Sequence, residues 1–226
     1  MLWEKSDIIP NEVIDYISKD WDEEWFHSGN KTNSEKLKKN MQMDQNNLWK
    51  NYCDSVRPYI SKSNILNNVF LGTKHSVPLF SWYKVGDQYG YHNDKYPIRQ
   101  VYPNLNYTVY LNDDFEGGEL ILKVGNIEVV TKPEKGKFII YDSNLQHRVA
   151  PVTKGERKVM IGWMETEIKD TFHRNLYIDY CLSCQQILKT LLPRYDNDGE
   201  DLEYVDIVKK LATFRYTLMR EYGRTD

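Results

Sequence analysis

His92-Asn93-Asp94 sets an imidazole and a carboxylate two residues apart, just after a strand-like run. On extended backbone, residues i and i+2 project from one face, so the two groups converge. A second imidazole, His147, stands late in the same β-type region, within YDSNLQHRVAPVTKGERKVMIGW, where the chain after KFIIYD can return beside the earlier strands. Two imidazoles and one carboxylate fill three corners of a metal ion and leave three open, the facial arrangement that suits Fe(II). A closed tetrahedral zinc site would want four protein ligands.

Arg157 adds a second kind of chemistry. It comes ten residues after His147 and opens the next strand, on the face of Val159, Ile161 and Trp163 by period-two alternation. A largely buried arginine needs an anionic partner. The distal carboxylate of 2-oxoglutarate would match its planar guanidinium through two hydrogen bonds, while the keto-acid end chelates the iron. Taken alone, Arg157 reads better as an exposed residue at a strand start after Lys154-Gly155-Glu156. Thr108, in LNYTVYLN, has a sufficient explanation in its β-branched side chain, and it also stands where it could line a cosubstrate pocket.

These residues need a scaffold of strands, and the sequence supplies one between about residues 78 and 165. PLFSWYKV, NYTVYLN, ELILKV, IEVVT, KFIIYD and RKVMIGWME are short β-type runs with turn residues between them. They predict an antiparallel jelly-roll, with hairpin turns at Gly117-Gly118, Gly125-Asn126 and Gly136. Gly90 would give backbone clearance beside the metal.

Residues 1–77 read as helical and loop-rich. Val13, Ile14, Ile17 and Trp21 recur at helix spacing after Pro10. The polar stretch 29–47 reads as a surface loop. Leu48, Trp49, Tyr52 and Val56 predict a second helix that ends near Pro58 and packs on the sheet. After residue 170, Leu176, Tyr180, Ile187 and Leu191, then Leu202, Val205, Leu211, Phe214 and Leu218, predict two more helices around a PRYDNDGED loop. The expected fold is mixed α+β: a double-stranded β-helix (jelly-roll) core over 78–168, N-terminal helices over 1–77, and a C-terminal helical extension over 169–226.

A chain of 226 residues can bury about 70% of its unfolded surface without disulfide staples. The net charge of −3 excludes a nucleic-acid face built on a global positive excess. With no apolar segment behind a basic start and no run of ~18 apolar residues, a cytoplasmic protein without a membrane partner is expected. Cys53, Cys181 and Cys184 form no even-numbered framework, which fits a reducing compartment. Cys181-Leu-Ser-Cys184 falls within a helical pattern and reads as packed thiols. His27, His75 and His173 have no ligand-spaced companions and read as surface or capping residues.

PLFSWYKVGDQYGYHND, YTVYLNDDFEGGELIL and KGKFIIYDSNLQHRVAPVTKGER resemble the PKHD-type hydroxylases, a branch of the prolyl-4-hydroxylase-like Fe(II)/2-oxoglutarate oxygenases. KLKKNMQMD and RYTLMREY carry the resemblance over nearly the whole chain. By position it implies that His92, Asp94 and His147 hold Fe(II), that Arg157 holds 2-oxoglutarate, and that Tyr83 donates its hydroxyl to the same carboxylate. It further implies a dioxygenase domain over 1–168 that consumes O2 and 2-oxoglutarate, releases succinate and CO2, and counts ascorbate among its cofactors. The substrate would be a prolyl or other peptidyl residue, a free amino acid or a small metabolite. The acid at Asp94 favours hydroxylation over halogenation, which needs a small residue there. A second reading is a non-catalytic jelly-roll that senses iron or 2-oxoglutarate. The chain departs from the family pattern at Asn106-Tyr107, where smaller residues are common, which bears on pocket width. Tyr89, Tyr91, Tyr96, Tyr102 and Arg148 flank the site and could line its mouth.

Overall fold

The computed structural model describes residues 1–32, 37–94, 97–191 and 202–223. The larger sheet contains β1 (Leu2–Lys5), β2 (Phe26–Ser28), β4 (Met41–Met43), β5 (Gly72–His75), β6 (Leu79–Tyr83), β8 (Leu105–Tyr110), β12 (Phe138–Asp142) and β15 (Arg157–Thr166). It runs β1-β12-β8-β15-β6-β4-β2, with β5 beside β15. The smaller sheet holds β3 (Lys38–Lys39), β7 (Gln88–His92), β10 (Leu120–Val124), β11 (Ile127–Val130) and β13 (Gln146–Val149), in the order β11-β10-β13-β7-β3. A short ladder joins β9 (Glu116–Gly117) to β14 (Val152–Lys154). The pairings within these sheets are antiparallel, so the architecture is mixed α/β with antiparallel sheets.

The two main sheets share one core. Tyr83, Tyr110, Ile139, Tyr141 and Val159 from the larger sheet pack with Leu120, Leu122 and Val149 from the smaller. β6, β8 and β12 are buried at every position rather than at alternate ones. Their second face is covered too: Trp21 and Tyr52 place their rings against Phe80 of β6. Two covered faces turn alternation into continuous apolar runs.

Those covering residues belong to or adjoin α1 (Asn11–Ser18) and α2 (Asn47–Ser61). In α1, Ile14 and Ile17 are buried, and the Pro10 carbonyl accepts from the amides of Val13 and Ile14. Asn46 caps α2 by accepting from the Trp49 amide at 2.9 Å. α2 does not stop at Pro58 but continues to Ser61. A proline this near the end costs one amide donor, and its fixed φ suits the last turn.

The expected surface loop over 29–47 is also corrected. It contains β3 and β4, and Lys38, Asn40 and Gln42 are buried at 5, 4 and 4% exposure. Their polarity looked like solvent exposure because it faces an internal cavity. Gly125-Asn126 makes a tight hairpin between β10 and β11, as expected. Gly117-Gly118 does not: Gly117 pairs with Val152 of β14.

The chain divides into two compact units, Met1–Ser63 with Lys74–Glu165, and Asn64–Thr73 with Thr166–Asp226. The second therefore takes in residues 64–73, which the sequence grouped with the N-terminal helices. Its helices are α3 (Thr171–Leu191) and α4 (Leu202–Tyr222). The rings of Tyr180 and Phe214 pack at a tilt with centres 4.7 Å apart, and Arg215 Nε donates to the Tyr177 hydroxyl at 2.8 Å. Cys181 is buried and Cys184 half-buried, both free thiols. The His173 amide donates to Asp170 at 2.9 Å, a capping bond. The PRYDNDGED loop and the side chains of Leu191, Leu202 and Val205 lie outside the described residues. Among the described residues no helix is long and apolar enough to cross a membrane.

Candidate active site

His92 ends β7 and faces His147 of β13 directly across the ladder. The next aligned pair is Val149 with Tyr89, so β7 carries one more residue than β13 between the pairs. This bulge sets the two imidazoles side by side, ring centres 4.2 Å apart. Each ring is fixed through Nδ1, His92 to the Gly90 carbonyl at 2.9 Å and His147 to the Leu145 carbonyl at 3.0 Å. With Nδ1–H donating there, Nε2 keeps its lone pair and faces Asp94 Oδ1, at 3.7 Å from His92 and 3.9 Å from His147.

The other oxygen of Asp94 is already engaged. Oδ2 accepts from Asn106 Nδ2 and from Trp163 Nε1, each at 2.8 Å. One ligand atom from each of His92, Asp94 and His147 lies within 4.8 Å of the others. Among the described residues no other group of three His, Cys, Asp or Glu side chains gathers this way. Burial, and His147 beside it, push the His92 imidazole down to about 4, so it is neutral at physiological pH, as a metal ligand must be.

The cluster opens on a cavity of about 370 Å³ between the sheets. The same cavity is lined by Arg157, 1% exposed, with Nε and Nη1 buried and without a hydrogen-bond partner. Its guanidinium stands 4.8 Å from the ring centre of Tyr83 and 5.4 Å from that of Tyr110. Aromatic faces soften the cost of the buried charge but offer no acceptor in its plane. Tyr83 pairs with Arg157 across β6 and β15, and burial pushes its hydroxyl up to about 12. Thr108, Leu120 and Val149 also line the cavity.

Residues 78–165 match the family model described as the 2OG-Fe(II) oxygenase superfamily. A PKHD-type hydroxylase of Rippkaea orientalis is 29% identical over 83% of this chain and 82% of its own length. Another, from Prochlorococcus marinus strain MIT 9515, is 30% identical over 78% of this chain and 81% of its own. The chain belongs to the PKHD-type hydroxylases. The fold agrees with a Pseudomonas putida prolyl-4-hydroxylase (TM-score 0.54, 17% identity, 73% of this chain and 92% of that one). It also agrees with a Trichoplax adhaerens prolyl hydroxylase solved with a hypoxia inducible factor peptide fragment (TM-score 0.55, 19% identity, 74% and 84%). As a PKHD-type hydroxylase, the chain is a 2-oxoglutarate- and Fe(II)-dependent oxygenase, and its reactants include O2.

In this hydroxylase the sequence-selected residues His92, Asp94, His147, Arg157, Tyr83 and Thr108 all line one cavity. Tyr89 lines it as well, stacked on His92 at 3.6 Å. Tyr91 and Arg148 do not; both bond to Glu128 on the exposed side of the smaller sheet. Tyr102 is exposed, and Tyr96 lies outside the described residues. Gly90 gives clearance to Leu37 rather than to the metal site: a Cβ there would meet Leu37 Cδ1 at 2.5 Å. Gly118, at φ +67°, is the glycine that matters to the cavity, since a Cβ would lie 2.9 Å from Arg157 Cδ. The Asn106-Tyr107 pair splits by strand alternation. Asn106 holds Asp94, whereas Tyr107 packs on Phe138 and does not line the cavity.

Sequence reasoning missed Lys38, Asn40, Gln42, Ser81 and Arg99 as lining residues, and Asn106 and Trp163 as partners of Asp94. Alternation within KLKKNMQMD was the available signal for the first three. The partners of Asp94 depend on cross-strand register, which leaves no mark on local sequence.

Proposed function

We propose that His92 Nε2, Asp94 Oδ1 and His147 Nε2 hold Fe(II), and that Arg157 with Tyr83 holds the distal carboxylate of 2-oxoglutarate. The observation that carries this reading is the buried Arg157 guanidinium, with two unpartnered nitrogens in the same cavity as the His-Asp-His cluster. A buried cation of this kind is costly without an anion. The donor set also suits the metal: two neutral imidazoles and a carboxylate fit Fe(II) and leave positions for the cosubstrate. Bound there, iron supplies the oxygen activation by which a C–H bond becomes C–OH while 2-oxoglutarate and O2 become succinate, CO2 and the inserted oxygen.

The chain's own residues do the rest. Gly90 and Leu145 carbonyls fix the tautomers, Asn106 and Trp163 hold the carboxylate so that one oxygen stays available, and Leu120, Val149 and Ile161 keep water from the cosubstrate. The two antiparallel sheets are read as a double-stranded β-helix, with residues 1–168 as the oxygenase domain and 169–226 as a helical extension. A peptidyl or amino-acid substrate is supported by the prolyl hydroxylases among the structural neighbours, and ascorbate is assigned as the reductant that keeps iron ferrous. The test is succinate release from 2-oxoglutarate by the anaerobically loaded protein on exposure to O2. Retained iron and 2-oxoglutarate binding without succinate, across peptide and amino-acid panels, would favour a sensor instead.

A further inference from the structure

Lys38, Asn40 and Gln42 occupy alternate positions along β3 and β4, and all three line the cavity. Asn40 is 4% exposed, and its carboxamide oxygen and nitrogen are both buried without a hydrogen-bond partner. Ser81, opposite Gln42 in the β4–β6 register, presents a second unpartnered buried oxygen. The Lys38 ammonium lies 4.9 Å from the ring centre of Tyr89, which stacks on His92. This polar strip is therefore one aromatic ring away from the metal cluster.

The charges of the lining point to its ligand. Among the described lining side chains Lys38, Arg99 and Arg157 are cations, and Asp94 is the single carboxylate. In the reading above, Fe(II) adds two positive charges and 2-oxoglutarate two negative ones, leaving the lining's positive excess unchanged. In that reading Arg157 and the metal engage the cosubstrate, so the excess is carried by Lys38 and Arg99. Of the two, Lys38 is the cation whose charge acts on His92 and Asp94, whereas Arg99 acts on Cys53 and donates to the Pro78 carbonyl at 3.4 Å.

We propose that Lys38, with Asn40 beside it, anchors a carboxylate of the substrate, so that the bond to be hydroxylated lies over the His92, Asp94 and His147 cluster. The inference rests on the assignment of iron and 2-oxoglutarate above. It makes the substrate an acid: a molecule with a free α-carboxylate, or one with an acidic side chain. Burial lowers the Lys38 ammonium to about 8 against the pull of Asp94, and a second anion beside it favours the charged form.

The test uses the full chain loaded with Zn(II), which does not turn over, and 2-oxoglutarate. Binding is read by ligand-detected NMR with three probe sets: N-acetyl amino acids, their primary amides, and the α-amides of N-acetylaspartate and N-acetylglutamate. Carboxylate probes should bind about tenfold or more tightly than their amides. The third set separates a side-chain acid from an α-carboxylate. Lys38→Met should erase the preference while leaving 2-oxoglutarate affinity within about twofold. If Lys38→Met does not fold, Asn40→Asp should weaken the acids by about tenfold and spare the amides. Equal binding of acids and amides by the unaltered protein, or no binding of either, overturns the proposal. So does a Lys38→Met variant that loses 2-oxoglutarate as Arg157→Ala does, since Lys38 would then serve the cosubstrate. Failure of the unaltered protein to bind metal or 2-oxoglutarate before any probe is added is a separate result, and it refutes the assignment on which this one rests.

Discussion

The two ends of the cavity are built on opposite principles. At His92, Asp94 and His147 the atoms that orient the three side chains are paired with protein: both Nδ1 atoms bond backbone carbonyls, and Asp94 Oδ2 takes two donors. At Arg157 two guanidinium nitrogens are buried with no partner. The first end is set before any ligand arrives. In the proposed reading the second is completed by the cosubstrate's carboxylate, whose binding removes a cost that folding leaves there.

The largest effect expected from this contrast is at the prebuilt end. Asp94→Ala or His147→Ala should abolish Fe(II) retention and succinate formation together, measured by metal content and product assay. Either variant holding stoichiometric iron would break the assignment. Next comes Arg157→Ala, which should lose about 2 to 5 kcal/mol of 2-oxoglutarate binding, ~30-fold or more, and still hold iron. Titration of the Fe(II)·2-oxoglutarate absorption band reads both quantities, and loss of iron as well would show that the ends are not separable. Arg157→Lys keeps the charge without the fork and should give an intermediate defect, seen as a raised KM for 2-oxoglutarate.

Smaller effects sharpen the comparison. Trp163→Phe removes one of the two donors to Asp94 and should weaken Fe(II) binding by about 10- to 100-fold without a comparable change at Arg157. Competition with a chelator measures it. Tyr83→Phe removes one hydroxyl from the ligand-completed end and should cost about 0.5 to 1.5 kcal/mol of 2-oxoglutarate affinity. Calorimetric titration would resolve it, and an unchanged affinity would reduce Tyr83 to a packing residue beside the guanidinium.

The same contrast explains what was legible in the sequence. His92, Asp94, His147 and Arg157 are rare residue types for a β core, so their spacing stands out against apolar runs such as FIIYD and KVMIGW. Asn106 and Trp163 could not be paired with Asp94 from sequence, because they reach it from β8 and β15, distant in the chain. Lys38, Asn40 and Gln42 misled for a physical reason: buried polarity around a ligand cavity and exposed polarity on a loop have the same composition. Pro58 misled differently: it forfeits one amide bond to the preceding turn, yet α2 bears that loss and runs on to Ser61.

The extra residue in β7 between Tyr89 and His92 has a consequence for how this chain can vary in length. Tyr89 and His92 are three positions apart and would fall on opposite faces by regular alternation, so the bulge is what returns His92 to the face of His147. Losing one residue there would leave the two aligned on a regular ladder, whereas gaining one would carry His92 past His147 or turn it outward. The hairpin at Gly125-Asn126, at the far edge of the same sheet, carries no such restriction. Single-residue insertions should therefore be accepted at that hairpin and rejected in β7, so an insertion library selected for folding alone would still separate the two segments once iron retention is scored.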